Sequence, residues 1–84
     1  MKILIVDDER SIRNSLKEIL VDEGYDVDVA ENGVQGCDMV DKEKYSVIFC
    51  DIKMPEMDGM EFLDKINAMG VDAAVVMISG HGDI

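Results

Sequence analysis

The sequence has little of what marks several classes of protein. Its 84 residues include two cysteines, one proline and no tryptophan, and only 5% of them are aromatic. Two cysteines cannot build a disulfide-rich scaffold, so we interpret Cys37 and Cys50 as small buried apolar side chains. No apolar run approaches the length of a membrane span, and "KILIV" near the N-terminus does not have the layout of a signal peptide. We therefore predict a globular cytoplasmic protein that does not bind a membrane.

Basic residues are scarce as well. Eight lysines and arginines stand against 19 aspartates and glutamates, which leaves a net charge of −11. This balance indicates that the segment binds neither nucleic acid nor an anionic membrane surface. It suits a cation site or a basic partner. The length predicts one domain over residues 1–84, with a small core.

Four short runs of residues have the composition of β-strands. The runs at 3–6, 46–50 and 73–78 are apolar apart from Ser46, as expected of strands that are buried on both faces of a sheet. "DVDVA" at 26–30 alternates acidic and apolar residues, which is typical of an edge strand with one face in water.

Three segments between these strands have apolar residues at helical spacing. We expect these side chains to face the core: Ile12, Leu16, Ile19 and Leu20 in the first helix, Val34, Cys37 and Val40 in the second (33–43), and Phe62, Leu63, Ile66 and Met69 in the third. Asp8 or Ser11 can cap the first helix, and Gly24 can end it. Asp58 can cap the third helix, whereas Gly36 weakens the second.

Strands and helices alternate along the chain. This order predicts an α/β fold with a parallel sheet and right-handed crossover helices. The run at 73–78 would then be the last strand and an exposed apolar edge. Because such edges pair with other chains, we predict self-association through this strand.

Acidic and hydroxyl side chains follow the strands at the edge where ligands bind. Asp7 and Asp8 follow the first strand, Asp51 the third and Ser79 the fourth. The carboxyl ends of parallel strands meet at one edge of the sheet, so these groups can share a crevice. Clustered carboxylates repel one another unless a cation neutralises them, and carboxylate oxygens are ligands that Mg²⁺ prefers. An aspartate beside such a metal can accept a phosphoryl group.

Three stretches of the sequence resemble one known family. "ILIVDDE", "VIFCDIKMPEMDGMEFL" and "VVMISGHGDI" are similar to the receiver domains of two-component response regulators, the CheY-like family with a flavodoxin-like fold. The "ISGHGDI" ending is most similar to receivers of the nitrogen-regulation type. The resemblance implies a doubly wound parallel sheet of order 2-1-3-4.

The resemblance also implies a role for each residue of the site. Asp51 matches the phosphoacceptor, which also contacts the metal, and Asp8 matches the direct Mg²⁺ ligand. Asp7 matches the acid that holds the metal through water, and the backbone carbonyl of Lys53 matches a further protein ligand. Ser79 matches the switch hydroxyl that moves to the phosphoryl group.

The sequence departs from the family pattern at its end. A full receiver has five βα units, and we expect this chain to be a C-terminally truncated receiver without the last helix, strand and helix. The phosphate-pairing lysine of the family lies in that part, and no lysine follows Lys65 here. Lys53 and His81 match variable positions that tune dephosphorylation, and the small Gly80 leaves the acceptor accessible.

The leading hypothesis is a phosphoacceptor module of a two-component phosphorelay. Its partner would be a sensor histidine kinase, and it would be no enzyme beyond its own phosphorylation and dephosphorylation. Transcription regulation is implied by the resemblance alone. One alternative is a receiver fragment that binds metal or itself without phosphotransfer. Another is a Mg²⁺-dependent hydrolase of the haloacid-dehalogenase type, but those enzymes have two acids two residues apart after the first strand, where this chain has "DDE".

Overall fold

The computed structural model describes residues 1–78 of the chain. The predicted roles of Ser79, Gly80 and His81 therefore lie outside the described residues. The strands are β1 (Lys2–Val6), β2 (Asp26–Ala30), β3 (Val47–Asp51) and β4 (Ala74–Ile78). The helices are α1 (Arg10–Asp22), α2 (Gly33–Lys42) and α3 (Gly59–Ala68).

The four strands form one parallel sheet in the order β2-β1-β3-β4. This confirms the flavodoxin-like α/β fold with strand order 2-1-3-4. The central strands β1 and β3 are paired with Val6 opposite Cys50. The next residues along these strands are Asp7 and Asp51, so the register alone brings the two acids to the same level of the carboxyl edge.

Side chains of the central strands alternate between two apolar layers. Leu4, Val6 and Ile48 point to the layer that α2 and α3 cover, where Phe62 is fully buried. Ile3 and Ile5 point to the opposite layer, which contains Leu16 and Leu20 of α1. β1 is thus buried on both faces, whereas β3 is buried on one face and partly buried on the other, which agrees with the apolar composition of both strands.

The first helix departs from the expected pattern in two ways. Ile19 is 60% exposed, although its spacing predicted burial. The expected caps are wrong too: Glu9 occupies the N-cap position and makes no side-chain cap hydrogen bond. Asp8 lies before that position and Ser11 inside the first turn, so neither is placed to cap. Gly24 follows the end of the helix with φ +93°, as expected of a residue that stops a helix.

The other two helices follow the predicted pattern except near their ends. Val34 is 55% exposed, because residues three apart are rotated by about 60° around a helix and Val34 lies about 120° from the buried Val40. Met69 lies beyond the last residue of α3 and is 43% exposed. The caps here are side chains: Asn32 accepts from the N–H of Gln35, and Asp58 accepts from Glu61, as predicted for Asp58.

The fourth strand is at the edge of the sheet, as predicted. It pairs with β3 alone among the residues that the structure describes. None of its residues is fully buried, and Val76 is 41% exposed. Within residues 1–78, no helix has both the length and the apolar character needed to span a bilayer.

Candidate functional site

Three carboxylates meet at the carboxyl edge of the sheet. Asp7, Asp8 and Asp51 each offer an oxygen, and these oxygens all lie within 4.8 Å of one another. Asp7 and Asp51 are fully buried, whereas Asp8 is exposed. The cluster therefore has a closed side within the protein and an open side towards solvent.

Asp7 is held at its amide, its carbonyl and its carboxylate. Its N–H donates to the carbonyl of Ala30 over 3.1 Å, which continues the pairing of β1 with β2. Its Oδ1 accepts a hydrogen bond of 2.9 Å from the N–H of Glu9. The Arg13 guanidinium donates to its carbonyl oxygen over 2.8 Å. The turn between β1 and α1 is thus fixed around Asp7.

Asp51 is the last residue of β3 and is also held by backbone groups. Its Oδ1 accepts a hydrogen bond of 3.2 Å from the N–H of Lys53. The next residue, Ile52, donates its N–H to Ile78 of β4 over 3.0 Å, and its carbonyl accepts from the N–H of Gly59 over 2.9 Å. The strand end is therefore bound to β4 on one side and to the start of α3 on the other.

Gly59 allows α3 to begin against the end of β3. A Cβ atom at this position would lie 2.5 Å from the carbonyl oxygen of Asp51 and 2.9 Å from the Cα of Ile52. Both are backbone atoms of the strand end, so a side chain cannot be accommodated without moving the residue that bears the central carboxylate. The "MDG" sequence thus combines the cap Asp58 with a position that requires glycine.

The carboxylates influence the thiol that lies beneath them. Cys50 is fully buried, and burial, with the negative charges of Asp51 and Asp7, raises its pKa to about 12. Its thiol is therefore neutral at ordinary pH and serves as a core side chain. Burial also raises the pKa of the half-buried Cys37, and both cysteines are free, which agrees with their predicted apolar role.

The chemistry and spacing of the carboxylates fit Mg²⁺. Mg²⁺ takes oxygen ligands, and opposite ligands of an octahedral site are about 4.2 Å apart. Oxygens separated by at most 4.8 Å need only a small side-chain movement, or one bridging water, to reach that spacing. The exposure of Asp8 leaves room for the waters that Mg²⁺ keeps.

Most of the predicted site residues lie together. Asp7, Asp8 and Asp51 converge, and Lys53 lies beside them through its N–H bond to Asp51. The predicted use of the Lys53 carbonyl as a metal ligand stays a prediction, and Ser79 is outside the described residues. Sequence reasoning missed Arg13. A signal was present, because Arg13 lies three and seven residues before Leu16 and Leu20, in phase with the inward face of α1.

The fold and the convergent acids are those of a CheY-like receiver domain. Residues 3–84 match the family described as the response regulator receiver domain, and the chain belongs to this family. Receiver domains of two-component response regulators are regulatory phosphoacceptor modules, and they interact with sensor histidine kinases. The finer assignment to the nitrogen-regulation type stays a prediction.

Curated relatives support this membership. The chain is 39% identical over 83 residues to sporulation initiation phosphotransferase F of Bacillus subtilis, covering 99% of this chain and 67% of that protein. It is 32% identical over 84 residues to the response regulator MprA of Mycobacterium avium, covering all of this chain and 37% of that protein. The chain thus spans about two thirds of the first relative and little more than a third of the second.

Solved structures of receivers superpose closely on the chain. The response regulator TrrA of Thermotoga maritima, in complex with Mg²⁺ and BeF, is 37% identical with a TM-score of 0.88, over 96% of this chain and 70% of that one. The structure described as FixJ-N is 29% identical with a TM-score of 0.87, over 99% of this chain and 66% of that one.

Proposed function

We propose that this chain is a phosphoacceptor module in which Asp51 receives a phosphoryl group in a Mg²⁺-dependent reaction. The observation that carries the proposal is the position of the Asp51 carboxylate, at the end of a central strand and within 4.8 Å of oxygens of Asp7 and Asp8. The relative TrrA, whose structure contains Mg²⁺ and BeF, supports the choice of metal.

The resemblance to receivers gives the carboxylates different roles. The exposed Asp8 would bind the metal directly, and the buried Asp7 would hold it through water. Asp51 and the carbonyl of Lys53 would be the other protein ligands. When bound, Mg²⁺ neutralises the charge that would otherwise repel the phosphoryl group from the three carboxylates.

The reaction transfers a phosphoryl group from a donor to the Asp51 carboxylate. A carboxylate oxygen of Asp51 forms a bond to phosphorus while the bond from phosphorus to the donor breaks, and the donor leaves with that electron pair. The donor is the phosphohistidine of a sensor histidine kinase, whose imidazole departs, or a small acyl phosphate, whose carboxylate departs. The Lys53 N–H, 3.2 Å from Asp51 Oδ1, keeps the acceptor oriented.

This role is regulatory. The module catalyses at most its own phosphorylation and hydrolysis, and its output is a change in the population of two surface states. Ser79 is proposed as the hydroxyl that responds to the phosphoryl group. The cytoplasmic location and the link to transcription stay predictions. The alternative fragment without phosphotransfer has no support in the comparisons.

The proposal is tested by measuring the intact mass of the chain after incubation with Mg²⁺ and a small acyl phosphate. We expect the mass of one phosphoryl group to be added, because the acceptor and the metal ligands are assembled. Asp51→Asn is the matched control, since the amide has nearly the same shape but cannot be phosphorylated. Adduct in this control, or no adduct in the wild type despite bound Mg²⁺, would contradict the proposal.

The exposed edge of β4 supports a second proposal, that copies of the chain associate through this strand. Ala74 and Val76 are exposed, and β4 has one strand neighbour within residues 1–78. We expect light scattering at high micromolar concentration to show dimers or larger species, and Val76→Lys to reduce them, because edge lysines oppose strand pairing. A monomeric wild type would exclude this association.

A further inference from the structure

Arg13 is buried at a position where a helix normally buries an apolar side chain. It is 8% exposed and is the only buried residue of α1. A guanidinium keeps its charge, and burying it is costly unless it is hydrogen-bonded. Among residues 1–78, the other buried charged side chains are Asp7 and Asp51, both of which belong to the proposed site.

The contact that Arg13 makes links α1 to the end of β1. Its Nη1 donates to the carbonyl oxygen of Asp7 over 2.8 Å. Helical side chains tilt towards the N-terminus of their helix, so an arginine in the first turn reaches back over Glu9 to the strand end. The bond also fixes the start of a helix whose N-cap residue, Glu9, makes no side-chain capping hydrogen bond.

The carbonyl that Arg13 holds belongs to the peptide group between Asp7 and Asp8. Its orientation sets the direction in which the chain continues, and therefore where the Cα of Asp8 lies. The carboxylate of Asp7 is fixed separately by the N–H of Glu9, over 2.9 Å. The exposed Asp8 depends on the backbone for its position relative to Asp51.

We propose that Arg13 is a positioning residue for Mg²⁺, which holds the Asp7 carbonyl and thereby places the Asp7 and Asp8 carboxylates opposite Asp51. This inference rests on the proposed function, because it assumes that these carboxylates bind Mg²⁺. If Arg13 acted through its charge alone, its removal would change Mg²⁺ affinity in the opposite direction. A positive charge beside a cation site weakens cation binding, so its removal would strengthen binding.

The test is a Mg²⁺ titration followed by the amide resonances of the folded chain. Arg13→Met keeps an apolar stem but removes the donor, and we expect Mg²⁺ affinity to fall about tenfold, the lower range for residues that orient metal ligands. Arg10→Met is the matched control, because Arg10 is in the same helix, carries the same charge and is exposed. Its affinity should be unchanged or slightly higher. Arg13→Lys should recover part of the lost affinity.

The outcomes separate the inference from the proposed function. A wild type that binds no Mg²⁺ overturns both. A wild type that binds Mg²⁺, with Arg13→Met equal to Arg10→Met or tighter, overturns the positioning role alone. A purely structural role would lower the free energy of unfolding and leave the affinity of the folded protein unchanged. If Arg13→Met does not fold, Arg13→Lys is compared with Arg10→Lys, where weaker binding supports the inference and equal binding overturns it.

Discussion

The amino and carboxyl ends of the sheet each gather three carboxylates, but around different partners. At the amino end, the Lys2 ammonium lies 2.7 Å from Glu43, 3.6 Å from Asp28 and 3.9 Å from Asp26. These side chains are partly exposed, and the buried Tyr45 donates its hydroxyl to Asp28 over 2.7 Å. This end carries its own cation in the sequence, although the one ammonium of Lys2 offsets only one of the three carboxylate charges.

The carboxyl end holds the three carboxylates of the proposed Mg²⁺ site. Asp7 and Asp51 are fully buried and accept hydrogen bonds from backbone N–H groups, which orient carboxylates without adding a positive charge beside them. The arginine nearby donates to a backbone carbonyl. The same count of acids therefore gives a structural ion cluster at one end and a candidate regulated site at the other.

The largest expected effect comes from forcing the carboxyl end apart. Gly59→Ala places a methyl group against two backbone atoms, and we expect it to lower the free energy of unfolding by about 3 kcal/mol. Gly70→Ala, at the other end of α3, meets no atom within 4 Å and should lose only about 1 kcal/mol, for its φ of +75°. Denaturant unfolding measures both. Equal losses would show that close contact at Gly59 is unimportant.

Mg²⁺ should stabilise the protein through the carboxyl end alone. At a concentration of 100 times Kd, a ligand that binds only the folded state adds about 2.7 kcal/mol to the free energy of unfolding. We expect this gain in the wild type and in Asp28→Asn, and its loss in Asp51→Asn. Thermal unfolding with and without Mg²⁺ provides the measurement. A gain that depends on Asp28 would place the metal at the wrong end of the sheet.

Without Mg²⁺, replacing one aspartate by asparagine should raise the free energy of unfolding at the carboxyl end and lower it at the amino end. Asp51→Asn removes repulsion within the cluster and keeps an oxygen for the Lys53 N–H, so stability should rise by about 1–2 kcal/mol. Asp28→Asn removes a charge that faces Lys2 and should lower stability by about 0.5 kcal/mol. Both variants are compared with the wild type by urea unfolding. Changes of the same sign would refute the contrast between the ends.

The last comparison of the two ends concerns Tyr45, Cys50 and high pH. Burial, then its bond to Asp28, raises the pKa of Tyr45, and burial raises that of Cys50 to about 12. In the unfolded chain these groups ionise near their ordinary values, 10.0 and 9.0, so the unfolded state binds fewer protons above those values and stability falls as the pH rises. The hydrogen bond with Glu43, the largest cause, raises the pKa of Lys2 above 10.5, which adds a loss of the same sign.

Two variants test how much each end of the sheet contributes to the loss of stability at high pH. With Cys50→Ala, stability should decrease less steeply above pH 9. With Tyr45→Phe, it should decrease less steeply above pH 10. At neutral pH, Tyr45→Phe should lose about 1 kcal/mol with its hydrogen bond. The check is unfolding at a series of pH values from 7 to 11. A Tyr45→Phe curve parallel to that of the wild type above pH 10 would contradict the assignment.

Much of the fold was predictable because local patterns carry it. The continuous apolar runs identified the central strands, and the alternation of strands and helices predicted the parallel sheet. The incorrect predictions concern helix positions. The spacing of apolar residues predicts which side of a helix is apolar, but not which of these residues another element packs against. The spacing of apolar residues predicted Ile19 and Val34 to face the core, yet each is more than half exposed, and Val34 lies about 120° around its helix from the buried Val40. Arg13 shows the reverse, a charged residue that occupies an inward position.

By itself, the sequence determined which residues end each strand and how acidic those ends are. Asp7, Asp8 and Asp51 follow apolar runs whatever their neighbours are, because strand length and the onset of polar residues are local properties. Only the tertiary structure decided that β1 pairs with β3, which brings Asp7 and Asp51 together, and that Lys2 lies among Asp26, Asp28 and Glu43. It also turned Arg13 onto the Asp7 carbonyl. The reason is physical: the free energy of a charge depends on the groups brought near it and on the water removed, and both are set by residues distant in the chain.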